Sequence, residues 1–231
     1  MGRIVYVNGT FVPEVEARIS IFDRGFLFAD SVYEVTTVAR GKLVDWDHHL
    51  ARIQSSLEQL NIEPPLDGES LLDLHRELIR SNQLADGLLY MQVSRGPCDR
   101  DFLMHNNQKA SLVVFSQEVN LFDPDRLNRC LRVITVPEMR WTRRDIKTTQ
   151  LLAASLTKTK ACSQGFDDAW FVEDGYITEG TSSNAYIVLK NNKIVTRAVG
   201  TEILSGITRF SILGIAKSLG IIVEERPFSV K

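Results

Sequence analysis

A lysine beside two arginines is the residue of this chain best suited to covalent chemistry. Lys147 lies in the segment TRRDIKTTQLL, after Arg143 and Arg144 and before a predicted apolar helix. Neighbouring positive charge, the positive end of a helix and burial each disfavour a protonated amine, and a lysine in such surroundings can act as a nucleophile. The spacing also fits a surface ion pair between Lys147 and Asp145, so both interpretations stay open.

A polar run that follows a predicted strand is the second candidate. Residues 178–184, TEGTSSN, combine the carboxylate of Glu179 with small polar side chains, among them Ser182 and Ser183. This composition suits the rim of a ligand site. It equally suits a polar turn held by Asx or Ser/Thr hydrogen bonds.

Candidate anion-binding groups lie on two predicted helices. Gly206, Ile207 and Thr208 begin one of them, where unpaired N–H groups, the helix dipole and a hydroxyl together favour an anion. Arg52 lies beside the apolar stripe of the other helix. From there its guanidinium reaches either a buried anion or solvent.

Composition and charge exclude several classes of protein. The 231 residues include 27 basic and 29 acidic ones, which gives a net charge of −2, and 44% are hydrophobic. The chain therefore lacks the basic excess expected of a nucleic-acid-binding protein, and it has no apolar run typical of a signal peptide or membrane span. The three cysteines and four histidines lack zinc-ligand spacing. We expect no metal and a cytoplasmic location.

Strands and helices are both predicted in the N-terminal part, which must position Arg52. A hairpin, IVYV and TFVP, turns at Asn8-Gly9. Apolar spacings of three and four predict one helix from His48, with Asp47 as its cap, and another over about 69–82. Runs at 88–93 and 112–115 predict strands.

The break at Asp123-Pro124-Asp125 predicts a domain boundary. It divides the chain into an N-terminal α/β domain at 1–119, a linker at 120–125 and a C-terminal α/β domain at 126–231. The C-terminal domain is predicted to carry Lys147. Its elements are the strand LRVITVP, a helix ended by Gly165, hairpins at Asp174-Gly175 and Asn191-Asn192, a helix from Gly206 through Leu219, and a closing strand, IIVEERPF.

Together these motifs resemble the fold-type IV pyridoxal phosphate enzymes, and within them most closely the D-amino acid aminotransferases. The resemblance runs in order from Tyr6 to Phe228. It implies a two-domain α/β (α+β) fold with a mixed sheet in each half and an active site between the halves. The segments that carry it are DRGF at 23–26, DSVYEV at 30–35, HLARI at 49–53, RRDIK at 143–147, TEGTSSN at 178–184 and ILSGITR at 203–209.

The resemblance also implies a role for each candidate residue. Lys147 matches the lysine that forms the internal aldimine with pyridoxal 5'-phosphate and then moves a proton, and Glu179 matches the carboxylate that pairs with the pyridine nitrogen. Arg52, Ile207 and Thr208 match the groups that bind the cofactor phosphate. The other matches are a residue against the cofactor ring, a tyrosine near the lysine and the substrate carboxylate, and two further polar groups: Leu204, Tyr33, Ser182 and Ser183.

The residues expected to bind the substrate resemble those of the D-specific members, but they differ at several positions. Their loop arginine, which binds the substrate carboxylate, matches Arg100, but Phe102 stands where they have a histidine; Arg100 also fits a solvated arginine between two aspartates. The resemblance implies that this loop reaches the neighbouring site of a homodimer. Residues 29–31 lack the glycines that are common in relatives. The chain also stops at Lys231, several dozen residues before its relatives, from which we expect reduced cofactor affinity.

We therefore expect a homodimeric, pyridoxal phosphate-dependent aminotransferase that moves an amino group from a D-amino acid to a 2-oxo acid in a ping-pong reaction. Branched-chain L-amino acid transamination, (R)-amine transamination and aminodeoxychorismate lysis stay open within the same fold, because pocket shape decides between them. A non-catalytic scaffold that keeps the fold is the alternative of another class.

Overall fold

The computed structural model describes residues 2–105 and 108–230 of the chain. The chain divides into a first unit, Met1–Leu127 with Ile146–Thr149, and a second unit, Asn128–Asp145 with Gln150–Lys231. The segment Ile146–Thr149, which carries Lys147, thus groups with the first unit, whereas the sequence predicts it in the C-terminal domain. The reason lies in its backbone pairing, described below.

The described strands of the first unit form one antiparallel sheet in the order β2-β1-β6-β5-β3-β4. Its connections are hairpins, loops or a pair of helices rather than the single crossover helix that joins parallel strands. The mixed sheet expected in this half is therefore antiparallel. The strands are β1 (Ile4–Val7), β2 (Thr10–Pro13), β3 (Ser31–Ala39), β4 (Lys42–Leu43), β5 (Gly87–Ser94) and β6 (Ser111–Glu118). The helices are α1 (Arg24–Phe28), α2 (Trp46–Gln59), α3 (Gly68–Ser81) and α4 (Pro124–Leu127), with a short 3-10 helix at Glu14–Glu16.

The helices predicted from apolar spacing are α2 and α3, and both pack on this sheet. The buried residues of α2 include Ile53 and Leu57, on the predicted stripe. The predicted cap, however, is wrong. Asp45, in a left-handed conformation with φ 53°, precedes the helix, and Asp47 lies in its first turn. In α3 the Asp67 side chain accepts a hydrogen bond from the Ser70 N–H at 2.7 Å, which is an ordinary helix cap.

The strand β3 carries polar residues on its buried face. That face alternates with a partly exposed one and consists of Val32, Glu34, Thr36 and Val38, besides Ser31 at the strand's start. The strand β5 pairs with β3 along the entire length of β5. The buried face of β3 is thus fixed in register beneath α2, the helix that contacts it.

The second unit contains the mixed sheets. In one sheet β7 and β8 are parallel and β8 and β9 antiparallel; in the other β10 and β11 are antiparallel and β11 and β12 parallel. Each parallel pair is connected through a helix, as parallel pairing requires. The strands are β7 (Val133–Pro137), β8 (Asp168–Glu173), β9 (Tyr176–Gly180), β10 (Tyr186–Val188), β11 (Ile194–Thr196) and β12 (Val223–Glu225), and the helices are α5 (Leu152–Ser163) and α6 (Ile207–Ser218).

The second unit has an apolar cluster formed by Ile177, Ala185, Val195 and Phe228. The predicted hairpin at Asp174-Gly175 is confirmed, with φ of 52° and 83° at the two turn residues. Overall, the predicted α/β class is confirmed. In the two described stretches of the chain, no helix is both long and apolar enough to cross a lipid bilayer.

Candidate active site

Backbone pairing with β3 holds Lys147 in the first unit. The Tyr33 N–H donates to the Lys147 carbonyl at 2.9 Å, and the Thr149 N–H donates to the Ser31 carbonyl at 3.1 Å. Between them, Val32 pairs with Thr148 as an isolated antiparallel bridge. The segment that carries Lys147 therefore follows the edge of β3, and this pairing explains why it groups with the first unit.

The amine of Lys147 lies against the ring of Tyr33. Nζ is 4.2 Å from the ring centroid, a distance at which an ammonium is attracted to the ring face. Tyr33 in turn stacks on Tyr90, with centroids 5.6 Å apart. Burial raises the pKa of Tyr90 to about 12, so Tyr90 stays neutral at physiological pH. The structure thus brings together two of the predicted residues, Lys147 and Tyr33.

A buried glutamate next to Tyr33 binds Arg52. Arg52 Nε and Nη2 donate to the two carboxylate oxygens of Glu34 at 2.7 and 2.8 Å, and His49 Nδ1 lies 2.6 Å from Oε2. Burial pushes the pKa of Glu34 upward, but the hydrogen bonds from Arg52 and His49 outweigh it and hold this pKa below its ordinary value. The fork to Glu34 orients Arg52 and engages two of its five N–H groups.

Arg100 lies in a loop after β5, over two aromatic rings. Its guanidinium carbon is 5.4 Å from the ring centroids of both Phe28 and Phe102. The buried Arg24 holds the same loop, because its Nη1 donates to the Asp101 carbonyl at 2.5 Å. Phe102, where the resemblance implies a histidine, thus contacts the predicted carboxylate-binding arginine.

In the second unit, Glu179 is buried on β9 and accepts hydrogen bonds at both oxygens. Arg140 donates to Oε1 at 2.7 Å, and the Leu204 N–H and Asn184 Nδ2 donate to Oε2 at 3.0 and 3.2 Å. Burial raises the pKa of Glu179 above its ordinary value, although Arg140 and the Leu204 amide oppose this shift. The structure therefore joins two predicted residues, Glu179 and Leu204, directly.

The N-cap of α6 lies two residues after Leu204. Gly206 is the N-cap, and Ile207 and Thr208 form the first turn, as predicted. Asn184 also donates to the Leu204 carbonyl at 2.9 Å, and a Cβ on Gly206 would lie only 2.1 Å from Asn184 Oδ1. A side chain at the cap would therefore have to displace Asn184. Through its hydrogen bonds to Glu179 and to the Leu204 carbonyl, Asn184 links Glu179 to the helix end that is predicted to bind phosphate.

The two predicted serines lie at an exposed turn. Ser182 and Ser183 are exposed, and the Gly180 N–H donates to the Ser183 carbonyl at 2.6 Å. The polar run is therefore a turn at the end of β9, of which Glu179 is the buried part. Contact with a cofactor stays a prediction for both serines.

Four polar residues of these two clusters are not predicted as site residues from the sequence. They are Glu34, His49, Arg140 and Asn184. Glu34 and His49 lie within two of the motifs, at 30–35 and 49–53, but their pairing with each other is visible only in the fold. Asn184 has a sequence signal, because it ends the polar run 178–184 that is predicted as a ligand rim. Arg140 has none, since it meets its partners only through the fold.

Comparison with known proteins gives consistent matches. The profile of the amino-transferase class IV family matches residues 31–231. The D-alanine aminotransferase of Bacillus licheniformis is 35% identical over 222 residues, which are 96% of this chain and 78% of that protein. A D-alanine aminotransferase of Staphylococcus aureus is 33% identical over 226 residues, 98% of this chain and 80% of its own length.

The fold has a similar match among solved structures. The branched-chain amino acid aminotransferase of Escherichia coli superposes with a TM-score of 0.90, and the match covers 100% of this chain and 79% of that one. The sequence identity is 19%, so this likeness concerns the fold alone.

Proposed function

We propose, from the premise that this chain belongs to the class IV aminotransferase family, that it transfers the amino group of a D-amino acid to a 2-oxo acid in the cytoplasm. The family predicted from the motifs is confirmed, and the chain is a pyridoxal phosphate-dependent aminotransferase. One observation carries the choice of a D-amino acid. It is the 35% identity, over 96% of the chain, to a protein named D-alanine aminotransferase.

The residues of the two units suit the three functional ends of the cofactor. The amine of Lys147 suits the aldehyde, and the buried carboxylate of Glu179 suits a protonated ring nitrogen. Arg52 and the first turn of α6, with Ile207 and Thr208, suit the phosphate. When bound, pyridoxal phosphate supplies an aldehyde that takes up the amino group and a ring that withdraws electrons from it.

The chain's own residues would then hold and move protons. Lys147 accepts a proton from the substrate at Nζ and returns it, while the Tyr33 ring limits where Nζ can lie. Leu204 and Asn184 orient the Glu179 carboxylate, whose negative charge would pair with a protonated ring nitrogen of the bound cofactor. In a ping-pong order, the first 2-oxo acid leaves before the second one takes up the amino group.

We assign the substrate carboxylate to Arg100. The rings of Phe28 and Phe102 restrict its guanidinium, which presents a planar pair of donors to a carboxylate. The same loop exposes Leu103 at 68%, and helix α1, which carries Phe28, exposes Phe26 at 73%. A patch of this kind marks an interaction site.

We propose a second copy of the chain as the partner at this patch, so that the Arg100 loop reaches the neighbouring site. Light scattering should give twice the chain mass of 26.1 kDa. Phe26→Asp should shift the mass toward the monomer, because a buried carboxylate opposes association. The exposed Phe210→Asp in the second unit is the matched control, and a monomeric wild-type protein would refute the dimer.

A half-reaction panel tests the proposed reaction. Purified protein reconstituted with pyridoxal phosphate is mixed with D-alanine, D-glutamate, L-leucine or an (R)-amine, and the cofactor absorbance is followed. We expect conversion of the D-amino acids, and we expect the half-reaction rate of Lys147→Ala to fall by at least about 10²-fold, because general acid–base catalysis alone is worth about 10²–10⁴. The exposed Lys42→Ala on β4 is the control and should react like the wild type.

Each other outcome points to a different assignment. Conversion of L-leucine without any D-amino acid would replace our substrate with a branched-chain L-amino acid. Conversion of the (R)-amine alone would indicate (R)-amine transamination. A protein that cannot be reconstituted with the cofactor would support a scaffold.

A further inference from the structure

A chain of alternating charges extends from Glu179 through the second unit. Glu179 Oε1 accepts from Arg140 Nη1 at 2.7 Å, and Arg140 forks onto Glu138 through Nη2 at 2.7 Å and Nε at 2.9 Å. Glu138 Oε2 lies 3.8 Å from Arg144 Nη1, and Arg144 Nη2 donates to Glu173 at 2.6 Å. Carboxylates and guanidiniums therefore alternate over five side chains.

Most of this chain of charges is shielded from water. The side chains of Glu138 and Arg144 are each 3% exposed, and those of Glu179 and Arg140 are 6% and 12% exposed. Glu173, at 32%, is the partly exposed end. In such surroundings a charge is screened weakly, so each group responds to the loss of its neighbour.

Two further contacts fix the pair of Arg140 and Glu138. Its guanidinium lies 4.2 Å from the ring centroid of Phe171, and the Thr178 hydroxyl donates to Glu138 Oε2 at 3.1 Å. Because Arg140 is held on its far side by Glu138 and on one face by Phe171, it has one orientation toward Glu179. The Glu179 carboxylate is thereby turned so that Oε2 meets the Leu204 N–H.

We propose that Arg140 and Glu138 are positioning residues that act on Glu179 in opposite directions. Arg140 keeps the carboxylate ionised despite its burial, and Glu138 keeps Arg140 from neutralising it. This inference rests on the proposed function, in which the Glu179 charge holds the cofactor's ring nitrogen. Without Arg140 the Glu179 carboxylate would take up a proton. Without Glu138 the Glu179 charge would be neutralised by Arg140 and could not attract the cofactor's ring nitrogen.

The electrostatic directions agree with this geometry. Burial raises the pKa of Glu179, the Arg140 charge and hydrogen bond lower it, and the Glu138 charge raises it. Arg140 and Glu138 are the charged groups that face Glu179 in the described part of this unit. The neighbours from other elements, Leu204 and Asn184, are neutral donors.

The test follows the titration of the Glu179 carboxyl by ¹³C NMR, in the full chain labelled at glutamate. The signal is assigned by its loss in Glu179→Gln. We expect Arg140→Met to raise the titration midpoint by about 1–3 pH units, as loss of an adjacent opposite charge does, and Glu138→Gln to lower it. Arg140→Lys keeps the charge and should stay close to the wild type.

Controls separate this role from a structural one. Arg226→Met removes an exposed arginine that pairs with Glu224 in the same unit and should leave the Glu179 titration unchanged. If Arg140 and Glu138 were merely structural, their variants would lower stability without opposite titration shifts. Shifts in the same direction, or none, would overturn the proposal. If Arg140→Met fails to fold, the direction found for Glu138→Gln decides alone.

Cofactor binding gives a second readout. We expect the apparent Kd for pyridoxal phosphate to rise about tenfold in Arg140→Met, the change that one pH unit of lost ionisation represents. A wild-type protein that binds no cofactor and transaminates nothing would refute the proposed function. The NMR titration would still decide the relation between Arg140, Glu138 and Glu179, so the two failures are distinguishable.

Discussion

Two glutamates, one in each unit, are almost equally buried, yet their pKa values move in opposite directions. Glu34 is 1% exposed and Glu179 is 5% exposed. Around Glu34 the charged donor Arg52, with His49 and the charge of Lys147, outweighs burial, and the pKa is lowered. Around Glu179 burial dominates, since one arginine is offset by Glu138 and the other donors are neutral, and the pKa is raised.

The comparison shows that the charge of the donors, rather than their number, decides the state of a buried carboxylate. Glu34 has its compensating cations inside the fold and needs none from outside. Glu179 is hydrogen-bonded as fully but remains short of positive charge. A bound cation, such as a protonated ring nitrogen, would complete its surroundings. Glu34 is therefore a structural anchor for Arg52, and Glu179 is poised for a ligand.

Removing the two charges separately should produce the largest contrast. Glu34→Gln removes the carboxylate that pairs with Arg52 and should lower the free energy of unfolding by about 3–5 kcal/mol, as breaking a buried ion pair does. Glu179→Gln should change stability by less, because Arg140 keeps Glu138. Its transamination rate should fall about 10²–10³-fold with the loss of the charge that faces the cofactor.

Urea unfolding and single-turnover rates measure the two effects of this pair of variants. Glu77→Gln, at a half-buried carboxylate that pairs with the exposed Arg80 on α3, is the control and should change either quantity little. Equal losses of stability in Glu34→Gln and Glu179→Gln would contradict the distinction between the two carboxylates.

Much of the fold could be predicted from periodicity and turns, but β3 could not. The stripes of α2 and α3, the hairpin at Asp174-Gly175 and the start of α6 follow local rules, and all are confirmed. In β3, Glu34 and Thr36 occupy buried positions that an apolar residue would normally fill. The local pattern is broken because Arg52 and His49 of α2, remote in sequence, satisfy the carboxylate.

The site shows the same limit. The motifs assign Lys147 and Glu179, and the resemblance supplies their roles. What the residues alone do not indicate is the partner of each carboxylate, because Arg140 reaches Glu179 across 39 positions and Leu204 across 25. Such pairs depend on how β9 and the loop before α6 meet. Sequence reasoning therefore identifies the reactive groups more readily than the groups that tune them.

Two glycines at helix α6 of the second unit should affect stability in opposite directions, with effects of intermediate size. A Cβ at Gly206 would displace Asn184, a neutral donor to Glu179, so Gly206→Ala should lower the free energy of unfolding by about 1–3 kcal/mol. Gly214 lies within α6 with nothing near its missing Cβ, and Gly214→Ala should instead raise stability by about 0.5–1 kcal/mol. Thermal unfolding of both variants measures this; a neutral Gly206→Ala would show that Asn184 can move freely.

The smallest expected effect is the pH dependence of stability, worth about 1.4 kcal/mol for each unit of pKa difference. The folded pKa of Glu34 lies below its ordinary value of 4.5. The stabilisation from its ionised form is therefore complete above pH 4.5 and is lost as the pH falls through the folded pKa. The folded pKa of Glu179 lies above 4.5, so its contribution is greatest below pH 4.5 and declines as the pH rises through the folded pKa.

Urea unfolding of the wild type, Glu34→Gln and Glu179→Gln from about pH 3 to 8 measures these two slopes as differences from the wild type. Burial lowers the pKa of His75 to about 4, so protonation of His75 destabilises all three proteins as the pH falls below 6.5. Because this effect is common to the three proteins, it cancels in the stability differences. As the pH falls, the free energy of unfolding of the wild type minus that of Glu34→Gln should become smaller. The same difference for Glu179→Gln should become larger. Slopes of equal sign would mean that burial alone determines the pKa of both carboxylates and that the charge of the donors does not decide it.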